Sequence, residues 1–217
     1  SSEVSRAHRP KRRCLSHWTA GLGAFQECDR AGKNVTPTVK KCGDDLAWYQ
    51  GAFFLICKEP SQIVSCKPGE ENLRPVAGEG APINGLNRVQ YVRGLAMSPN
   101  GEMIVGHVDA GHEESHCQLL SFQDGVGKVL FNVQKLQHVY CSPNGVIYVL
   151  DAGGTRVQKV EGSRLMPVLD SKELPEELAF HAFCIFVSKQ EVPYIADWEK
   201  RRILRFAEGT YIPAVVA

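Results

Sequence analysis

The densest group of chemically capable side chains lies in one short stretch, His112-Glu113-Glu114-Ser115-His116, a literal H-E-x-x-H pattern. On a helix that spacing sets two imidazoles on one face to hold zinc, with the first glutamate as general base for a metal-bound water. Here Gly111 precedes the pattern and Cys117 opens an apolar, strand-like run, so there is room for barely one helical turn. Leu119 and Phe122 stand where a longer metalloprotease pattern would carry its glycine and third histidine. The expectation is an exposed polar hairpin and no resident cofactor. The alternative is a divalent cation, zinc or calcium, held without catalysis by His107, Asp109, His112 and His116.

A second set of residues recurs. Asp151 and Asp197 each close an apolar run and are followed five residues later by Arg156 and Arg202. A carboxylate at a strand end can accept N–H groups of the following turn or pair with an arginine, and repetition favours that structural role over one-off catalysis. Arg156, Trp198, Arg201 and Arg202 fall in or beside these turns and are the candidate binding residues. The chain has no G-x-S-x-G elbow, phosphate loop or dinucleotide fingerprint.

The 217 residues carry a net charge of +1, which supplies no overall field for nucleic acid or anionic membranes. Arg12 and Arg13 end a basic arm, and with Arg156, Arg201, Arg202 and Arg205 they make RNA the secondary partner class, without the interleaved aromatics of a stacking platform. No apolar run approaches the roughly 20 residues of a membrane span. Eight cysteines form no C-x-x-C pair. Their even number is compatible with disulfides, but the later ones sit in apolar runs where buried thiols are the simpler reading, which favours a reducing intracellular compartment. Asn34-Val-Thr36 formally matches a glycosylation acceptor.

The elements that must position these residues repeat. Gly51 to Cys57, Gly101 to His107, Gly145 to Asp151 and Glu191 to Asp197 share one layout at intervals close to 45 residues, each preceded by a shorter apolar segment and a turn. Ser-Pro-Asn-Gly stands in two of those turns, where Asn-Gly supplies positive φ at low steric cost. A third segment follows each central one and a fourth lies at Arg74 to Ala77, Val129 to Val133, Leu165 to Leu169 and Tyr211 to Val216. Such units cannot bury two apolar faces alone, so they must stack. The predicted fold is all-β, a β-propeller of four-stranded antiparallel blades. Ser171 is predicted to cap one short helix that Pro175 limits to a turn or two.

Asn144 to Val160 and Val192 to Phe206 resemble NHL repeats: an apolar strand ending in Asp151 or Asp197, a short turn, then Arg156-Val157 or Arg202-Ile203. Leu73 to Gly80 is similar to the valine-alanine-glycine tract between such repeats. The first two units depart, with Cys57 and His107 at the Asp position. The resemblance implies a propeller usually closed by six blades, so four units imply a ring that is incomplete or completed by a partner. It also implies two alternatives, an RNA-binding face and a lactonase-like hydrolase whose calcium cage would draw on Glu114, Asn144 and Asp197. The expected organisation is a basic arm at 1–13, a degenerate blade at 14–42 and about four blades over 43–217. The expected role is a non-catalytic interaction or scaffold module within a larger chain or assembly, with a protein partner covering an open blade edge.

Overall fold

The computed structural model describes residues 42–57, 61–68, 70, 72–78, 89, 91–108, 117–123, 126–207 and 213–215. Four antiparallel sheets follow one another, each a four-stranded meander. Blade 1 comprises β1 (Cys42–Tyr49), β2 (Ala52–Cys57), β3 (Gln62–Cys66) and β4 (Arg74–Gly78). Blade 2 comprises β5 (Val92–Met97), β6 (Met103–Val108), β7 (Cys117–Gln123) and β8 (Val126–Val133). Blade 3 comprises β9 (His138–Cys141), β10 (Ile147–Asp151), β11 (Arg156–Glu161) and β12 (Arg164–Asp170). Blade 4 comprises β13 (Ala182–Val187), β14 (Pro193–Asp197), β15 (Arg202–Phe206) and β16 (Pro213–Val215). Strands β1, β5, β9 and β13 line up side by side as the inner edge, and the ring is not closed.

The turns between first and second strands follow a repeated chemistry. Ser98, Ser142 and Ser188 each accept, at Oγ, the N–H of the residue four positions on, at 2.9, 3.3 and 3.2 Å. The loop then requires a left-handed residue. Gly101 and Gly145 supply it at φ 89° and 85°, while blade 4 places Glu191 there at φ 57°.

Alternation along the second strands sends successive side chains to opposite neighbours. Val105 packs towards blade 1 and Ile104 towards blade 3; Val149 packs towards blade 2 and Leu150 towards blade 4. Each fully buried aliphatic side chain contributes about 1.5–3 kcal/mol, so the cores between sheets hold the arc together. The fold expectation holds, including a regular third strand in blade 2 despite its long connection. The helix does not form as expected: one 3-10 turn, Ser171–Glu173, is present, and Asp170 caps it by accepting the Lys172 N–H at 3.0 Å. Ser171 instead turns inward and accepts the Phe180 N–H at 2.8 Å, because the connection must fold back onto the blade 3 core.

Candidate functional site

In a meander, the turns from second to third strand lie at the same end as the connections between blades. Asp151 and Asp197 sit at that end, both buried. Asp151 receives a bidentate pair from Arg156, Nε to Oδ1 at 2.9 Å and Nη2 to Oδ2 at 2.7 Å. The same hydrogen bonding holds the Arg156 guanidinium above its ordinary pKa. Asp197 accepts Arg202 Nε at 2.9 Å, and its other oxygen accepts the backbone N–H groups of His181 and Lys200 at 3.3 and 3.4 Å. Arg202 also donates to the carbonyls of Glu177 and Ala179 at 2.7 and 2.9 Å. The Asp197–Arg202 pair rivets its turn to the connection before blade 4, and the Asp151–Arg156 pair braces its own turn, so both act structurally.

Of the four candidate binding residues, Trp198, Arg201 and Arg202 come together with Phe183, Ala196 and Ile203 around a depression of about 210 Å³ on blade 4. Arg156 stays apart on blade 3. Trp198 is 59% exposed, its indole edge-on to the His181 ring at 5.5 Å. Arg201 makes no side-chain hydrogen bond or ion pair among the described residues, and its φ of 51° is unusual for a non-glycine.

The depression belongs to a larger surface. The cross-strand pair Leu150 and Val157 of blade 3 is fully buried by blade 4. In the same register blade 4 presents Ala196 and Ile203, and no described residue covers them: Ile203 is 38% exposed, Phe183 48% and Phe186 51%. The outward face of blade 1 differs, for Phe53, Leu55, Cys57, Val64 and Cys66 are all buried.

The metal expectation finds its residues unevenly placed. His107 is buried within β6, its Nε2 3.3 Å from Gln118 Oε1. Asp109, His112 and His116 lie outside the described residues, as do Glu114, Asn34 and segment 1–41. Among the described residues no cluster of three or more His, Cys, Asp or Glu could hold a metal ion. Of the three residues suggested for a calcium cage, the two described ones, Asn144 and Asp197, do not meet. Asn144 lies at the opposite end of the strands from Asp197, where its amide donates to Glu191 Oε1 at 2.6 Å and to the Lys189 carbonyl at 3.0 Å.

Two polar constellations escaped the reading of the sequence. Glu191 accepts from Ser142 Oγ at 2.9 Å, from Asn144 and from the Tyr148 hydroxyl at 2.6 Å, clamping blade 4 to blade 3. On the inner edge Asp45, Gly94, His138 and Cys184 share one register position. Asp45 Oδ1 accepts the Leu46 N–H at 2.8 Å and Oδ2 the Leu95 N–H at 2.9 Å. His138 Nδ1 accepts the Ile185 N–H at 3.5 Å, which places the imidazole proton on Nε2, the nitrogen facing Asp45. Burial, then the Asp45 charge, holds the Cys184 thiol above its ordinary pKa, so it is not an activated nucleophile.

Solved structures share this architecture. One, of a nidogen/laminin complex, aligns over 84% of this chain and 70% of that one, at TM-score 0.58 and 11% identity. YCF48 bound to D1 peptide aligns over 89% and 63%, at 0.52 and 12%. Virginiamycin B lyase from Staphylococcus aureus aligns over 89% and 62%, at 0.57 and 10%. The fold is a β-propeller. The chain spans less than two thirds of the length of the last two. No family model and no curated protein matches the sequence.

Proposed function

We propose that the chain is a non-catalytic protein-interaction module of the NHL-like kind, docking a protein partner on the uncovered face of blade 4. The observation that carries this reading is the contrast at one register position, where Val157 is fully buried by a neighbouring sheet and Ile203 is left 38% exposed. Phe183, Phe186 and Trp198 extend the apolar surface, and Arg201 and Arg205 flank it with positive charge. A partner that lays down an apolar sheet face with carboxylates at its margin matches both features. Two of the similar structures are those of a nidogen/laminin complex and of YCF48 bound to a peptide, while a third is a lyase, so the fold by itself does not choose. The buried carboxylates Asp151 and Asp197 are committed to arginines, which weighs against their serving as a catalytic pair.

The test is affinity capture with the full chain and with an Ile203→Asp/Phe186→Asp variant, each with nuclease and with chelator. Protein capture that survives both treatments and is lost in the variant supports the reading. A salt-sensitive complex that disappears with nuclease replaces it with RNA binding, and metal-dependent turnover of a small ester or lactone replaces it with an enzyme.

A further inference from the structure

The seams between blades are not filled alike. Between blades 3 and 4, at the end carrying the first turns, Ser142 and Tyr148 of one blade meet the Glu191 carboxylate of the next. The same register positions between blades 1 and 2 hold Tyr49, Phe54 and Gly101. Tyr49 packs against Gly101, where an added Cβ would lie 2.9 Å from its hydroxyl, and beside this pair the seam holds a cleft of about 420 Å³, within the range of small-molecule sites.

Its walls are Ala52, Phe54, Val76, Met97, Met103 and Phe122, with Met103 and Phe122 buried at its base. Two methionines give a lining that adapts to the shape of an apolar guest. The rim is polar and one-sided in charge. Lys67 is exposed there, makes no side-chain hydrogen bond or ion pair among the described residues, and faces no acidic lining residue. Beside it the Gln50 amide donates to the Tyr49 hydroxyl at 2.9 Å.

We propose that this cleft binds a small amphiphilic carboxylate, its apolar body between Phe54, Met97 and Met103 and its carboxylate on Lys67. A cation at the mouth of an apolar slot selects an anionic head: an ammonium head would meet Lys67 as a like charge, and an alcohol would gain no ion pair.

Octanoate, octanol and octylammonium are the probes, titrated into the full chain labelled with 13C at the methionine methyls. The chain has three methionines, and Met166 on β12 serves as an internal control. Saturable shifts at Met97 and Met103 with octanoate, none at Met166, and at least five-fold weaker binding of octanoate in Lys67→Met with octanol unaffected are expected. Met97→Trp and Ala52→Trp, each checked for folding by circular dichroism, should abolish the shift at the remaining cleft methionines. Octanoate binding that is absent, matched by octylammonium, unchanged in Lys67→Met, or unchanged in a folded occluding variant overturns the proposal.

Discussion

His138 Nε2 stands 3.4 Å from Asp45 Oδ2, so a side chain of the third blade meets one of the first across the glycine that the second blade places between them. With the Leu46, Leu95 and Ile185 N–H groups, this contact connects the inner strands of all four blades. Asp45→Ala strands two backbone donors and the imidazole N–H. A loss of about 2–4 kcal/mol is expected in urea unfolding, since each buried group left unpaired costs about 1–3 kcal/mol and some will find water.

Gly94 and Gly106 face the same seam, yet substitution should separate them. A Cβ at Gly94 would lie 2.7 Å from the Val139 backbone nitrogen, which cannot withdraw without moving a strand. At Gly106 the closest clash is with Leu136 Cδ2, the end of a flexible side chain. Gly94→Ala should cost about 1–3 kcal/mol or more, and Gly106→Ala clearly less, compared by thermal unfolding under identical conditions.

The two buried aspartates should differ in worth. Arg202 is 15% exposed and Arg156 33%, so removing Asp197 leaves the drier unpaired cation. Asp197→Ala is expected to destabilise by about 3–5 kcal/mol and Asp151→Ala by less, because solvent can rescue Arg156. Equal losses in chemical denaturation would show that the turn N–H bonds and solvent screening are immaterial.

Alkaline pH should loosen the seams on both sides of blade 3, the one with blade 2 through Cys141 and the one with blade 4 through Tyr148. Burial, then the charges of Glu102 and Glu191, pushes the Cys141 thiol from 9.0 up to about 11, and burial with the Glu191 hydrogen bond raises Tyr148 further. A folded-state pKa above the unfolded one means stability is complete below the unfolded value and lost as pH climbs towards the folded one. Stability should fall from about pH 9 upward, and Cys141→Ala should remove the part of the slope between 9 and 11 in stability measured against pH.

Much of this was legible because it is local. The 45-residue period, the Ser-Pro-Asn-Gly turns and the Asp-to-Arg spacing each lie within one blade, and each produced the strand, turn or ion pair its residues imply. The helix cap failed by one residue because the demand of the core on Ser171 outweighed its capping preference. What stayed hidden depends on neighbours distant in sequence. Nothing around Asp45 points to His138, a whole blade away, and Glu191 occupies a glycine position whose meaning appears only with Tyr148 against it. Ile203 and Val157 read alike as strand residues; which of them is covered depends on the order of the blades. The cleft at Gly101 is visible only by comparison with the filled seam two blades on.

The buried outward face of blade 1 and the bare one of blade 4 give the arc a polarity. A solenoid with two sticky ends can add copies of itself head to tail without limit, as any heterologous contact that fails to close will do. Among the described residues, the buried face of blade 1 offers no apolar surface to match the exposed face of blade 4. A guest docked on blade 4, as proposed above, would therefore not seat a second copy of the described blades, and recruitment is separated from self-association.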